Sequence, residues 1–229
     1  MSKNDVIIAL DFSDKKETYN FLEKFDKEIF VKIGMELFYA EGPSIVKDIK
    51  AMGHKIFLDL KLHDIPNTVG SAMKVLSKLN VDMCNVHASG TSKMLVEAKK
   101  ALEGTNTLLI AVTVLTSINQ ELLNDELMIN KNLADAALQL ALISKKSGLD
   151  GVVCSPLESP IIHENCGKDF LTVTPGIRFA GDSKGDQSRV TTPEKARELG
   201  SNYIVVGRSI TGAQDPVAAY NKCYKEFVG

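Results

Sequence analysis

Short apolar runs alternate with longer amphipathic runs from one end of this chain to the other, and that alternation limits the fold more than any other feature. The short runs read as strands at 6–12, 30–33, 55–60, 83–87, 107–115, 151–154, 170–174 and 203–206. Most are continuous Val, Ile, Leu and Phe stretches with no polar alternation. Strands of that kind are buried on both faces, as in a parallel sheet covered by helices. The helical stretches between them have readable ends. The stretch 13–27 opens on Ser13 and Asp14, 67–79 follows Pro66, 92–102 is closed by Gly104, and 132–146 by Gly148. Thr192 and Pro193 introduce 194–199, which Gly200 stops, and Asp215-Pro216 starts the last helix. Eight strand–helix units in 229 residues leave about 29 residues each, close to a minimal βα repeat. The expected fold is therefore α/β, a single (β/α)8 TIM barrel, with residues 1–229 as one domain. An open doubly wound sheet would favour a Gly-rich turn after its first strand. The chain reads Leu10-Asp11-Phe12-Ser13-Asp14 there.

Composition narrows the function classes. Lys and Arg number 27 against 29 Asp and Glu, a net charge of −2, so no basic excess drives binding to nucleic acid or to anionic lipid. The apolar run from Val6 to Leu10 is too short for a signal segment or a membrane span. Four cysteines, Cys84, Cys154, Cys166 and Cys223, lie far apart with no C-x-x-C, which fits free thiols in a reducing cytoplasm. The one Gly/Ser/Asp-rich stretch, 180–188, reads as an active-site loop or an inert surface loop.

Barrel enzymes carry their chemistry at the C-terminal ends of the strands. Those ends here hold Asp11, Lys32, Asp59 with Lys61, His87, Thr116, Thr174-Pro175-Gly176 and Gly207-Arg208. Charges beside apolar strands are costly unless paired, so these ionisable residues are informative as a set. The densest string is Asp59-Leu60-Lys61-Leu62-His63-Asp64-Ile65-Pro66-Asn67-Thr68. Strand alternation turns Asp59 and Lys61 to one side, with Lys32 as neighbour, each charge favouring the ionised form of the next. A structural salt-bridge network at the rim is the alternative reading. A strand ending in Gly207 followed by Arg208 suits an anion, and barrel phosphate sites commonly follow strands seven and eight, where Arg178 and Gln187 also fall. A glycine needed only for a tight turn is the alternative there. His87 reads as a packed or supporting residue. His54, His63 and His163 have no ligand-like spacing, and no metal motif is recognisable.

The string 59–69 resembles the signature of the orotidine 5′-phosphate decarboxylase family. The resemblance extends over the chain, through Ala9-Leu10-Asp11, Val31-Lys32-Ile33-Gly34, Leu115-Thr116-Ser117, Thr174-Pro175-Gly176-Ile177-Arg178 and Val206-Gly207-Arg208. It implies decarboxylation of orotidine 5′-monophosphate to UMP and CO2 by an alternating Lys32, Asp59, Lys61, Asp64 array. Asp64 would come from the second subunit of a homodimer with shared active sites. It implies Lys61 as proton donor to C6, Asp11 and Lys32 at the ribose hydroxyls, and Thr116 or Ser117 at the pyrimidine. Arg178, Gln187, Gly207 and Arg208 would hold the phosphate, and Thr68 and Pro175 complete the substrate-binding set. No cofactor or metal is implied. Mg-dependent sugar-phosphate enzymes of the hexulose-6-phosphate synthase type share the Asp59, Lys61, Asp64 spacing but resemble the chain less over Ile65-Pro66-Asn67-Thr68. A non-catalytic phosphoribosyl-binding barrel would leave the packed charges unexplained.

Overall fold

The computed structural model describes residues 4–182 and 189–229. Eight strands run β1 Asp5–Leu10, β2 Phe30–Ile33, β3 Lys55–Leu62, β4 Met83–His87, β5 Leu108–Val112, β6 Gly151–Val153, β7 Leu171–Thr174 and β8 Tyr203–Val206. All pair in parallel with their chain neighbours, and β1 also pairs with β8, so the sheet closes into a barrel. The helices are α1 Lys15–Leu22, α2 Met35–Glu41, α3 Pro43–Ala51, α4 Pro66–Leu76, α5 Thr91–Lys100, α6 Gln120–Asp125, α7 Leu133–Lys146, α8 Ser159–Cys166, α9 Pro193–Glu198, α10 Arg208–Thr211 and α11 Pro216–Phe227. No described helix is long and apolar enough to cross a membrane.

The continuous apolar runs have the expected origin. Ile7, Phe30, Phe57, Met83, Ile110, Val173 and Tyr203 fill the barrel interior, while the alternate residues, such as Val6, Ile8, Val31 and Ile56, pack outward under the helices. Gly151 is required by close approach: a Cβ there would strike the carbonyl oxygen of Leu171 on the adjacent strand. The four cysteines are free and buried, and burial pushes the thiols of Cys84 and Cys223 up to about 12.

Several boundaries differ from the sequence reading. The first helix begins at Lys15, since Asp14 and not Ser13 accepts the Glu17 N–H as cap, and it ends at Leu22. Two helices, α2 and α3, fill the stretch after β2, for which the sequence predicts no helix; Gly42, at φ +67°, breaks them apart and Pro43 starts the second. The sequence does not announce α6, α8 or α10, which are only 6, 8 and 4 residues long. β5 is shorter than expected, beginning after Thr107, whose hydroxyl instead donates to the Val81 carbonyl. β3 runs two residues further than expected, through an irregularity in its pairing with β4.

One polar device recurs at the N-terminal rim. Asp82, just before β4, accepts the Ile56 N–H of β3 and the Lys50 ammonium of α3, both at 2.8 Å. Asp150, just before β6, accepts the Leu109 N–H of β5 at 2.8 Å and the Lys99 ammonium of α5 at 2.7 Å. Asn202, just before β8, accepts the Thr172 N–H of β7 at 2.9 Å and lies 3.1 Å from His163 of α8.

Candidate active site

The opposite end of the barrel gathers the charges. Alternation along β1, β2 and β3 turns Ala9, Lys32 and Phe57 inward, so the next inward positions place Asp11 and Asp59 at the mouth. Lys32 Nζ lies 3.1 Å from Asp11 Oδ1 and 3.6 Å from Asp59 Oδ2, and Lys61 Nζ lies 2.7 Å from Asp59 Oδ1. Asp59 is thus clamped between two ammonium groups. Burial by itself would push its carboxyl up. Lys32 and Lys61, with hydrogen bonds from Lys61 and Asn85, outweigh it and hold Asp59 below the usual carboxylate range.

Lys61 reaches Asp59 by a route that alternation does not describe. Its φ is +50°, the left-handed region, where a residue with a Cβ is strained. The β3–β4 register shifts between Leu58 and Leu62, and the Lys61 N–H donates to Asn85 Oδ1 at 2.8 Å instead of to a strand carbonyl. The bulge aims the ammonium.

Below this cluster lies a cavity of about 240 Å³. Lys32, Asp59 and Lys61 line one wall, Thr116, Ser117 and Pro175 line the rim, and Phe57, Val112, Val153 and Val205 make an apolar floor. Thr116 is buried and Ser117 exposed. A second cleft, of about 560 Å³, opens beside β7 and β8 and is lined by three cations, Arg178, Arg208 and Lys222, and by one carboxylate, Asp182, which accepts from the Ser209 hydroxyl. Pro175 and Val205 line the first cavity and Arg178 and Arg208 the second, so each strand exit reaches from one to the other within three residues. An apolar slot with a charged wall, next to a cationic cleft, suits a flat ring joined to an anionic group.

The sequence profile described as Orotidine 5'-phosphate decarboxylase / HUMPS family matches residues 4–223. The chain belongs to the orotidine 5′-phosphate decarboxylase family. A protein of that name from Bacillus cytotoxicus is 55% identical over 236 residues, covering 100% of this chain and 99% of that protein. One from Staphylococcus aureus (strain Newman) is 56% identical over 224 residues, covering 97% of each. The crystal structure of orotidine 5′-phosphate decarboxylase from Lactobacillus acidophilus superposes with a TM-score of 0.88 at 46% identity, covering 99% of this chain and all of that one. An uncharacterized conserved protein from Geobacillus kaustophilus superposes at 0.87, also at 46% identity, covering 97% and 99%.

The other residues expected from the decarboxylase family fall as follows. Gly207 precedes α10 as its cap and stands beside Asp11. Asp64 is exposed beyond the end of β3, its Oδ1 accepting the N–H of Ile65 at 2.6 Å. Among the described residues no ion pair joins it to Lys32 or Lys61 of its own chain. Thr68, in the first turn of α4, is also exposed and lies outside the cavity lining. Gln187 lies outside the described residues. The His87 and His63 rings lie tilted with centroids 5.5 Å apart, and burial, with His63 and Lys61 nearby, holds the His87 imidazole below its ordinary value. Among the described residues no group of three or more His, Cys, Asp or Glu side chains is placed to hold a metal ion.

Asn85 escaped the sequence reading. It is buried on β4, donates to Asp59 Oδ1 at 2.7 Å and accepts the Lys61 N–H, so it sets both partners of the central pair. The available signal was a polar residue inside the apolar run Met83-Cys84-Asn85-Val86. Asn85→Ala is expected to lower kcat about 10- to 100-fold, since about 1–3 kcal/mol attaches to unmatched buried hydrogen bonds. Steady-state kinetics beside a melting curve check this. An unchanged kcat would mean that Asp59 and Lys61 keep their geometry unaided.

Proposed function

We propose how this chain performs the reaction of its family, the decarboxylation of orotidine 5′-monophosphate to UMP and CO2, a carboxy-lyase step in pyrimidine synthesis. The observation that carries the reading is the clamped Lys32–Asp59–Lys61 cluster on the wall of a ring-sized cavity.

Loss of CO2 from C6 leaves an electron pair in the ring plane, with no adjacent carbonyl to delocalise it. Charge fixed beside that carbon must lower the barrier. In this reading the pyrimidine enters the cavity between Thr116, Ser117 and Pro175, with C6 toward Lys61. The C6–carboxylate bond breaks as its electron pair stays on C6, the Lys61 ammonium stabilises the pair, and its proton then moves to C6. Asp59 keeps Lys61 charged and aimed, and its own charge opposes the substrate carboxylate. Asp11 and Lys32 hold the ribose hydroxyls. Arg178 and Arg208, with Gln187 and the Gly207 turn, hold the phosphate, whose binding energy orients the ring. No cofactor and no metal take part.

The exposed Asp64 and Thr68 complete the site of a second copy. The enzyme works as a homodimer with shared active sites, each chain acting as one barrel domain over residues 1–229. It works in the cytoplasm and needs neither nucleic acid nor membrane.

An absorbance assay tests this. The wild type is expected to turn over orotidine 5′-monophosphate equally with and without EDTA. Arg208→Ala is expected to cut kcat/KM for that substrate at least about 100-fold, as for loss of a charged hydrogen bond used in the transition state, and to change turnover of phosphate-free orotidine little. Activity lost in EDTA and restored by Mg2+ would favour the sugar-phosphate enzymes of the same family. Equal losses on both substrates would place Arg208 away from the phosphate.

A further inference from the structure

Outside the Lys/Asp cluster, the most enclosed ion pair among the described residues joins Arg189 to Glu158, with side chains 13% and 4% exposed. Neither residue belongs to the machinery above. Glu158 follows β6. One carboxylate oxygen accepts the Ser155 N–H at 2.8 Å, closing a capping box, and the other meets Arg189 Nη1. Arg189 Nη2 reaches across to the carbonyls of Val114 and Leu115, at 3.4 and 3.3 Å, in the loop after β5. Burial pushes the Glu158 carboxyl up, and Arg189 works against that push.

These contacts join three loops of the catalytic end. Val114, Leu115 and Cys154, which adjoins Ser155, line the ring cavity. Two residues past Arg189, Thr191 accepts the Arg178 N–H and donates to the Gly176 carbonyl, both at 3.0 Å, so the chain returns as a bridge beside Arg178. One guanidinium therefore ties the cavity wall to the strand exit that carries Arg178. The side chain is held inward although its buried Nε has no hydrogen-bond partner among the described residues. A solvated surface residue would avoid that cost by turning outward.

We infer that Arg189 is a positioning residue, oriented by Glu158, that holds the ring cavity in register with the Arg178 side of the site. This rests on the assignment of Arg178 to the phosphate. With the fork in place, a ligand gripped at the phosphate is delivered to Lys61 in one geometry. Without it, phosphate binding no longer fixes the ring.

The test uses Glu158→Gln/Arg189→Met, which removes both charges and leaves neither buried alone. Arg189→Lys keeps a charge for Glu158 but lacks the fork that spans both loops. Each is measured on orotidine 5′-monophosphate and on phosphate-free orotidine, with melting curves, beside the wild type. The expected result is a loss of about tenfold or more in kcat/KM for the phosphorylated substrate, against less than about threefold for orotidine, in both variants. A folded double variant within about threefold of wild type on the phosphorylated substrate would overturn the inference, and so would equal losses on both substrates. If the double variant does not fold, the split in Arg189→Lys decides alone. A wild type inactive on orotidine 5′-monophosphate would refute the functional reading itself, an outcome separate from these.

Discussion

Lys61→Ala is expected to lower kcat by at least about 10⁴-fold while the barrel stays folded. Two contributions vanish together. An oriented charge at the reacting centre is worth about 10²–10³, and a positioned proton donor about 10²–10⁴. The fold should survive because Lys61 is partly exposed at the rim and Asp59 keeps Lys32 and Asn85 as partners. Alanine at φ +50° carries the same kind of backbone strain as lysine, so the bulge gains nothing by relaxing. Single-turnover kinetics with a melting curve and a UMP-binding measurement check the claim. Residual activity within about tenfold of wild type would remove Lys61 from the centre of the mechanism.

Asp64→Ala should be nearly as damaging, yet curable by a second defective protein. In the proposed two-fold dimer each subunit lends Asp64 to the other's site. Lys61→Ala and Asp64→Ala homodimers each have two broken sites. A heterodimer has one site lacking both groups and one with both intact. Equal mixing with random exchange makes about half of the dimers mixed, so activity should recover to roughly a quarter of wild type. If Asp64 served its own chain, every site in the mixture would lack one group and nothing would return. Failure to recover, with exchange confirmed by mass tagging, would eliminate the shared site.

The barrel was legible because its cause is local. Strands buried on two faces must be apolar throughout, and helices between them must show caps and stops, as at Asp14, Thr192 and Asp215. Asp59, Lys61 and Lys32 were legible because charges at the ends of buried strands need a reason. The rest depends on contacts between distant segments. Asn85 looks like one polar residue in a strand until Asp59 and Lys61 stand beside it. Arg189 looks like part of a polar loop, and only the folded chain brings it to Glu158 and Val114. The left-handed turn at Lys61 carries no glycine or asparagine to announce it, because tertiary hydrogen bonding stabilises what local preference disfavours. α2 is hidden in the sequence for a related reason: Gly34 caps it without a side-chain hydrogen bond, so its start has no marker.

The acceptors Asp82, Asp150 and Asn202 bind the strands two by two, β3 to β4, β5 to β6 and β7 to β8, each with a helix cation or imidazole as third member. Ile29 occupies the equivalent place before β2 and, being apolar, offers no such acceptor. The barrel is thus made of paired staves, three of them pinned at the foot. The pins sit at the end away from the mouth, and two of the three contain a partly exposed ion pair, Lys50–Asp82 and Lys99–Asp150. A mutation in a pin is therefore expected to loosen the vessel and spare the brew, and one at the mouth to spoil the brew in a sound vessel. Adaptation to heat and adaptation of the chemistry can then proceed in one small chain with little interference between them.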